Sequence, residues 1–95
     1  MSTTFSFTDN GNSSSLKVNN YKGSNARFEF TVFYYGTFGG GTVKMQASAN
    51  DGTTWVDIPN SSSTSATVQN MEIRATHIRA VLSGATNPSL SVTVL

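Results

Sequence analysis

Few side chains in this 95-residue chain have the chemistry of a catalyst, and no spacing among them stands out as a catalytic or metal-binding set. His77 is the only histidine. A hydrolase triad or a histidine-ligated metal would need partners beside it, and none is evident, so it is expected at the surface or hydrogen-bonded in the core. The acids are Asp9, Glu29, Asp51, Asp57 and Glu72. A glycosidase needs two of them facing one another across a cleft, and a chain this small has little room for one. Asp9-Asn10-Gly11-Asn12 comes nearest to a calcium loop, but one acid among four residues reads better as a plain turn. With no cysteine, disulfides, thiolate catalysis and cysteine-based zinc sites are ruled out. The expectation is a protein that is not an enzyme and needs no metal or cofactor. Phe33, Tyr34, Tyr35, Phe38 and Trp55 could instead supply an aromatic platform for a sugar ring or an unpaired base, although most are expected in the core.

The most specific local pattern is Ser48-Ala49-Asn50-Asp51-Gly52-Thr53-Thr54-Trp55. It resembles an Asp-box, the S-x-D-x-G-x-T-W hairpin of sialidase propellers and many other β-proteins, with Asn50 where that motif has Asp. The substitution keeps a side-chain acceptor and removes a charge. A short oxygen-bearing side chain can cap the turn amides, Gly52 can take unusual backbone angles, and Trp55 is expected to pack beneath the hairpin as a core anchor. In sialidases such boxes are structural and lie away from the active site, so the motif implies a fold-stabilising hairpin.

These residues must be positioned by strands. Apolar and polar residues alternate at period two along most of the chain. Phe5 and Phe7 mark a first strand, 9–12 a turn and 13–15 a loop; Leu16 and Val18 begin a second strand that ends at Asn19 and Asn20. A turn at 22–25 precedes the strongest strand, 27–35. Phe28, Phe30, Val32 and Tyr34 share one of its faces, and Glu29, Thr31, Phe33 and Tyr35 the other. The aromatic end of that second face is expected to be covered within the domain, or else to form a contact patch for another subunit. After Gly39-Gly40-Gly41, residues 42–47 turn Val43, Met45 and Ala47 inward, and 55–58 return as the partner strand, stopped by Pro59. Residues 60–65 are a polar loop, and Thr67-Val68 opens the next extended piece. Over 71–82, Met71, Ala75, Ile78 and Leu82 would fit a short helix. The β-branched Ile73, Thr76, Ile78 and Val81 favour two strands with a kink at Thr76-His77. A loop at 83–88 leads to a last strand carrying Leu90, Val92 and Val94. Six to eight short strands without a linker or repeat predict one all-β domain over 1–95, an antiparallel β-sandwich of immunoglobulin-like or jelly-roll-like kind.

Composition bounds the function. Ser, Thr, Asn and Gly supply 44 residues and charged residues only 12%, about half the usual share. Little repulsion would oppose packing against identical copies, although many secreted or bacterial β-domains share this composition. Net charge is +1 with no basic run, which argues against a nucleic-acid partner. No segment approaches the ~18 apolar residues of a membrane span. The start, Met1-Ser2-Thr3-Thr4-Phe5, lacks the n- and h-regions of a signal peptide, as expected of a cytoplasmically made protein. A small domain without disulfides relies on core packing, and oligomerisation would help it.

Two stretches carry a further resemblance. Gly36-Thr37-Phe38-Gly39-Gly40-Gly41-Thr42-Val43-Lys44-Met45-Gln46 runs into the 48–55 hairpin, and His77-Ile78-Arg79-Ala80-Val81-Leu82-Ser83-Gly84-Ala85-Thr86-Asn87-Pro88-Ser89-Leu90 follows later. Together they resemble small β-proteins encoded among the virion genes of tailed phages. In that group a G-T-[WF]-G-G-x-T-V-x-[LM]-Q strand precedes S-x-D-G-G-x-T-W, and R-[AL]-x-[LV]-S-G-x-T-x-P-S closes the domain. The chain departs from D-G-G at Asn50-Asp51-Gly52, and the likeness covers roughly 28–95. The resemblance implies a particle component and supplies no functional residues. The expectation is a capsid decoration or accessory subunit located on the virion. It would bind the major capsid protein or tail and neck proteins, and self-associate. A tail or fibre component of the same particle, or a carbohydrate-binding module, is the alternative. Phe38 with Gly39, Gly40 and Gly41 is the expected assembly loop, and Arg74 and Arg79 the expected polar contacts with a neighbour.

Overall fold

The computed structural model describes residues 3–17, 28–73 and 75–95. The expected end of the second strand, the 22–25 turn, the beginning of the long strand and Arg74 lie outside them. Among the described residues the alternating segments form nine antiparallel strands: β1 (Thr3–Phe7), β2 (Gly11–Asn12), β3 (Leu16–Lys17), β4 (Phe28–Thr37), β5 (Thr42–Ser48), β6 (Val56–Asp57), β7 (Thr67–Ile73), β8 (His77–Ser83) and β9 (Ser89–Val94). They make a β-sandwich, with one sheet in the order β1-β9-β4-β7 and the other in the order β2-β8-β5-β6, where β3 also pairs with β8.

Among the described residues the number of strands exceeds the expected six to eight because the β2 and β6 pairings, each two residues long, add to it. Gly11 and Asn12, expected in a turn, pair with Leu82 and Val81. The return strand expected over 55–58 shrinks to Val56 and Asp57, opposite Ala47 and Gln46.

Period-two alternation builds the core because every second side chain on a strand meets the opposite sheet. Phe5 and Phe7 of β1, Phe30, Val32 and Tyr34 of β4, and Leu90, Val92 and Val94 of β9 are buried against Val43 and Met45 of β5 and Ile78, Ala80 and Leu82 of β8. Over 71–82 the chain is two strands and not a helix. Met71 belongs to one sheet and Ile78 to the other, so the inward parity resets where the chain crosses between them.

One polar node lies inside this core. Ser61, 1% exposed, donates from Oγ to the Ile58 carbonyl at 2.7 Å and accepts the Met45 N–H at 3.1 Å. The buried Tyr34 hydroxyl donates to the Ser61 carbonyl at 2.8 Å. These bonds fasten the 58–63 segment across the sandwich and satisfy groups whose burial would otherwise be costly. Burial pushes the Tyr34 phenol well above its ordinary range.

Candidate functional site

Residues 48–54 close a hairpin turn held by side-chain caps. Asp51 and Gly52 both have positive φ (60° and 86°), and the Thr53 N–H donates to the Asn50 carbonyl, so a primed two-residue turn closes the β5–β6 hairpin. Ser48, 1% exposed, accepts the Gly52 N–H at 2.8 Å and the Asn50 N–H at 3.2 Å, and donates to Asn50 Oδ1 at 3.0 Å. Asn50 Oδ1 also accepts the Thr54 N–H at 2.9 Å. The turn is docked on the β7–β8 crossover, where Thr76 Oγ1 accepts the Asp51 N–H at 2.9 Å and donates to the Ser48 carbonyl at 3.1 Å.

Trp55 is not the expected core anchor. It is half-buried on the outer face of its sheet, where the Arg79 guanidinium lies 4.3 Å from its ring centroid. The reason is parity: Trp55 leaves the turn beside β5 residues whose side chains point outward. Arg79 then donates from Nε to Gln46 Oε1 at 2.8 Å, Gln46 Nε2 donates to Asp57 Oδ1 at 2.8 Å, and Lys44 Nζ meets Asp57 Oδ2 at 3.0 Å. The Gln46 and Lys44 contacts hold the Asp57 carboxyl below its usual range. Arg79 is therefore engaged within its own sheet, in a ladder of mutually satisfied groups.

The expected assembly loop is part of the domain's packing. Phe38 is 8% exposed and belongs to the core cluster, so its ring is not a surface contact. Gly39 and Gly40 have φ of 62° and 78°, and the Gly41 N–H donates to the Phe38 carbonyl at 3.0 Å. The turn lies against the β8–β9 connection. A Cβ on Gly39 would come within 2.3 Å of the Thr86 carbonyl oxygen, whereas one on Gly40 would meet nothing. Three crossings between the sheets meet at this end, because Asn10, between β1 and β2, exchanges two hydrogen bonds with Ala85 at 3.0 and 2.8 Å.

His77 Nδ1 lies 3.2 Å from Thr76 Oγ1. Among the described residues, no three His, Cys, Asp or Glu side chains are grouped so as to hold a metal. No described helix is long and apolar enough to cross a membrane.

Two surfaces stand out, the first of them the contact-patch alternative that the sequence offered for Phe33 and Tyr35. The first is the solvent face of the four-stranded sheet, where Phe33 is 37% and Tyr35 46% exposed, with Val68 beside Phe33 in register. The expected cover over these aromatics is absent among the described residues because the opposite sheet packs entirely on the other face of β4. The second is the outer edge of β7. Thr31 exchanges backbone hydrogen bonds with Leu95 at 3.2 and 2.9 Å, so Thr31 turns its main chain toward β9 and the alternate residues Val32 and Tyr34 face β7. Their partners Gln69 and Thr67 pair inward, which leaves the N–H and C=O of Val68 and Asn70 pointing out from the sheet. A cleft of about 530 Å3 runs along this edge between Gln69, Met71 and Ile73 on one side and Ile58, Pro59 and Asn60 on the other. Gln69 Oε1 is buried there with no hydrogen-bond partner among the described residues.

The chain matches no family model, no curated protein and no solved structure.

Proposed function

We propose that the protein is a non-enzymatic structural subunit of a tailed-phage particle, a capsid decoration or accessory protein that docks by adding its β7 edge to an extended segment of another virion protein. The docking part rests on the outer edge of β7. Natural sheets blunt their edges with short strands, lysine or proline. The five-stranded sheet does so at β2 and β6, which are only two residues long, and carries Lys17 on β3. β7 is seven residues long, has no lysine or proline, and faces a cleft containing an unpartnered acceptor on Gln69. An incoming strand would pair with the N–H and C=O of Val68 and Asn70 and offer a donor to Gln69 Oε1. The particle part rests on the resemblance of 28–95 to phage virion β-proteins, and the sparse surface charge is compatible with close packing on a lattice.

Val68→Pro tests the docking. It removes an outward N–H without touching a β4–β7 bond, and Val68 is exposed at 53%. The variant should stay folded and lose co-sedimentation with particles. Undiminished co-sedimentation would rule out strand addition at this edge.

A further inference from the structure

We propose that the solvent face of the four-stranded sheet is a binding platform for a neutral oligosaccharide. This surface adjoins the β7 edge and shares Asn70 with it, but it uses side chains on the face of the sheet and not the outward main chain, and the proposal does not depend on a particle role.

The first support is the attitude of Tyr35. Its hydroxyl lies 2.9 Å from Thr93 Oγ1 on the neighbouring strand, and Thr93 Oγ1 is 3.0 Å from Thr4 Oγ1 on the strand beyond. The pairing register sets Tyr35 opposite Ser91 and Phe33 opposite Thr93. The phenol thus reaches diagonally across β9, and a ring tethered at its tip lies along the sheet with one face to solvent. Phe33, two residues earlier on the same strand, extends that apolar surface. Flat aromatic surface of this kind accepts the C–H face of a pyranose, and the sugar's hydroxyls then need polar partners at the rim.

Those partners are in place. Thr31 Oγ1 donates to Asn70 Oδ1 at 2.9 Å, which fixes the amide so that Nδ2 remains to donate to a ligand. The Tyr35–Thr93–Thr4 chain supplies hydroxyls on the opposite side of Phe33.

Charge and area select the ligand class. Among the described residues Lys17, Lys44 and Arg79 belong to the other sheet, and the charged side chain two residues from Asn70 on β7 is the exposed acid Glu72. A phosphate-bearing or sulfated polymer would want lysine or arginine instead. Strand spacing and rise give the face roughly 400 Å2, about half of what each partner of a stable protein interface buries. That is short for a second copy of the chain and ample for a short glycan. Trp55 makes no comparable platform, since Arg79 already covers its ring.

The test is an array of neutral glycans probed with the labelled protein, followed by heteronuclear NMR titration with the best-bound sugar, and with heparin as the anionic probe. The expected result is binding of a neutral sugar, with amide shifts confined to the surroundings of Phe33, Tyr35, Asn70 and Thr93. Tyr35→Ala should weaken it at least about tenfold while leaving the melting temperature near wild type. Tyr35→Phe, which keeps the ring, should retain most of the affinity, and Val56→Ser on the other sheet should change nothing. If Tyr35→Ala does not fold, Asn70→Leu reads the same site through its amide. The proposal is overturned if no neutral glycan on the array binds, if the shifts map elsewhere, if heparin binds better, or if the Tyr35 and Asn70 variants bind as wild type. Tyr35→Ala should still associate with particles, which separates this proposal from the strand-addition one.

Discussion

Ser48→Ala should destabilise the domain far more than deleting one oxygen atom suggests. Ser48 is 1% exposed, and its hydroxyl makes three bonds within one turn: it accepts from the Gly52 and Asn50 amides at 2.8 and 3.2 Å and donates to Asn50 Oδ1 at 3.0 Å. Each intramolecular hydrogen bond contributes a net ~0.5–1.5 kcal/mol, and a donor left without an acceptor costs more when water cannot reach it. The turn is only partly buried, so the three together amount to about 2–3 kcal/mol. For a domain of this size that corresponds to a fall in melting temperature of about 10–20 °C. Thermal and urea unfolding followed by circular dichroism would measure it, with the exposed Ser62→Ala as a control expected within about 0.5 kcal/mol of wild type. Asn50→Ala should be non-additive with Ser48→Ala, since the two side chains share a bond. A Ser48→Ala variant as stable as the Ser62 control would refute the idea that side-chain caps hold this hairpin.

Other outcomes follow from the packing. Trp55→Ala should cost about 1–2 kcal/mol, the scale of a partly exposed cation–π contact and its apolar cover, and not the ~3–5 kcal/mol of a core tryptophan; urea midpoints distinguish the two. Gly39→Ala should be severely destabilising, because its Cβ would strike the Thr86 carbonyl oxygen, while Gly40→Ala, with positive φ but open space, should cost only ~1–2 kcal/mol. Tyr34 has its phenol pKa raised by burial, so the folded state holds a proton that the unfolded chain releases. Its contribution is fully present below the unfolded value near 10 and is lost as pH rises beyond it toward the folded value. Unfolding free energy should therefore fall above about pH 10, and Tyr34→Phe should flatten that fall.

The fold was legible where alternation is strict. Phe5 and Phe7, Phe30, Val32 and Tyr34 of β4, and Leu90, Val92 and Val94 are buried as their spacing predicts. The turn at 50–53 was legible because positive φ restricts residue type. What periodicity could not reveal was which sheet each strand joins. The exposure of Phe33 and Tyr35, the reset of parity between Met71 and Ile78, and the placement of Trp55 under Arg79 all depend on that assignment. Phe38 and its glycines were misleading for a related reason. A glycine run suits a mobile loop and a tight crossing equally well, and the contact with Thr86 that requires Gly39 is remote in sequence. The β7 edge and the Gln69 cleft are properties of pairing order, which no single strand encodes.

The most direct test of the proposed particle role is quantitative mass spectrometry of density-purified virions of a phage whose genome carries this gene, compared with the unfractionated lysate. The account predicts that the chain copurifies with the particles at a fixed multiple of a known shell or tail protein and remains bound through a second gradient. Abundance in the lysate with loss from purified particles would contradict it.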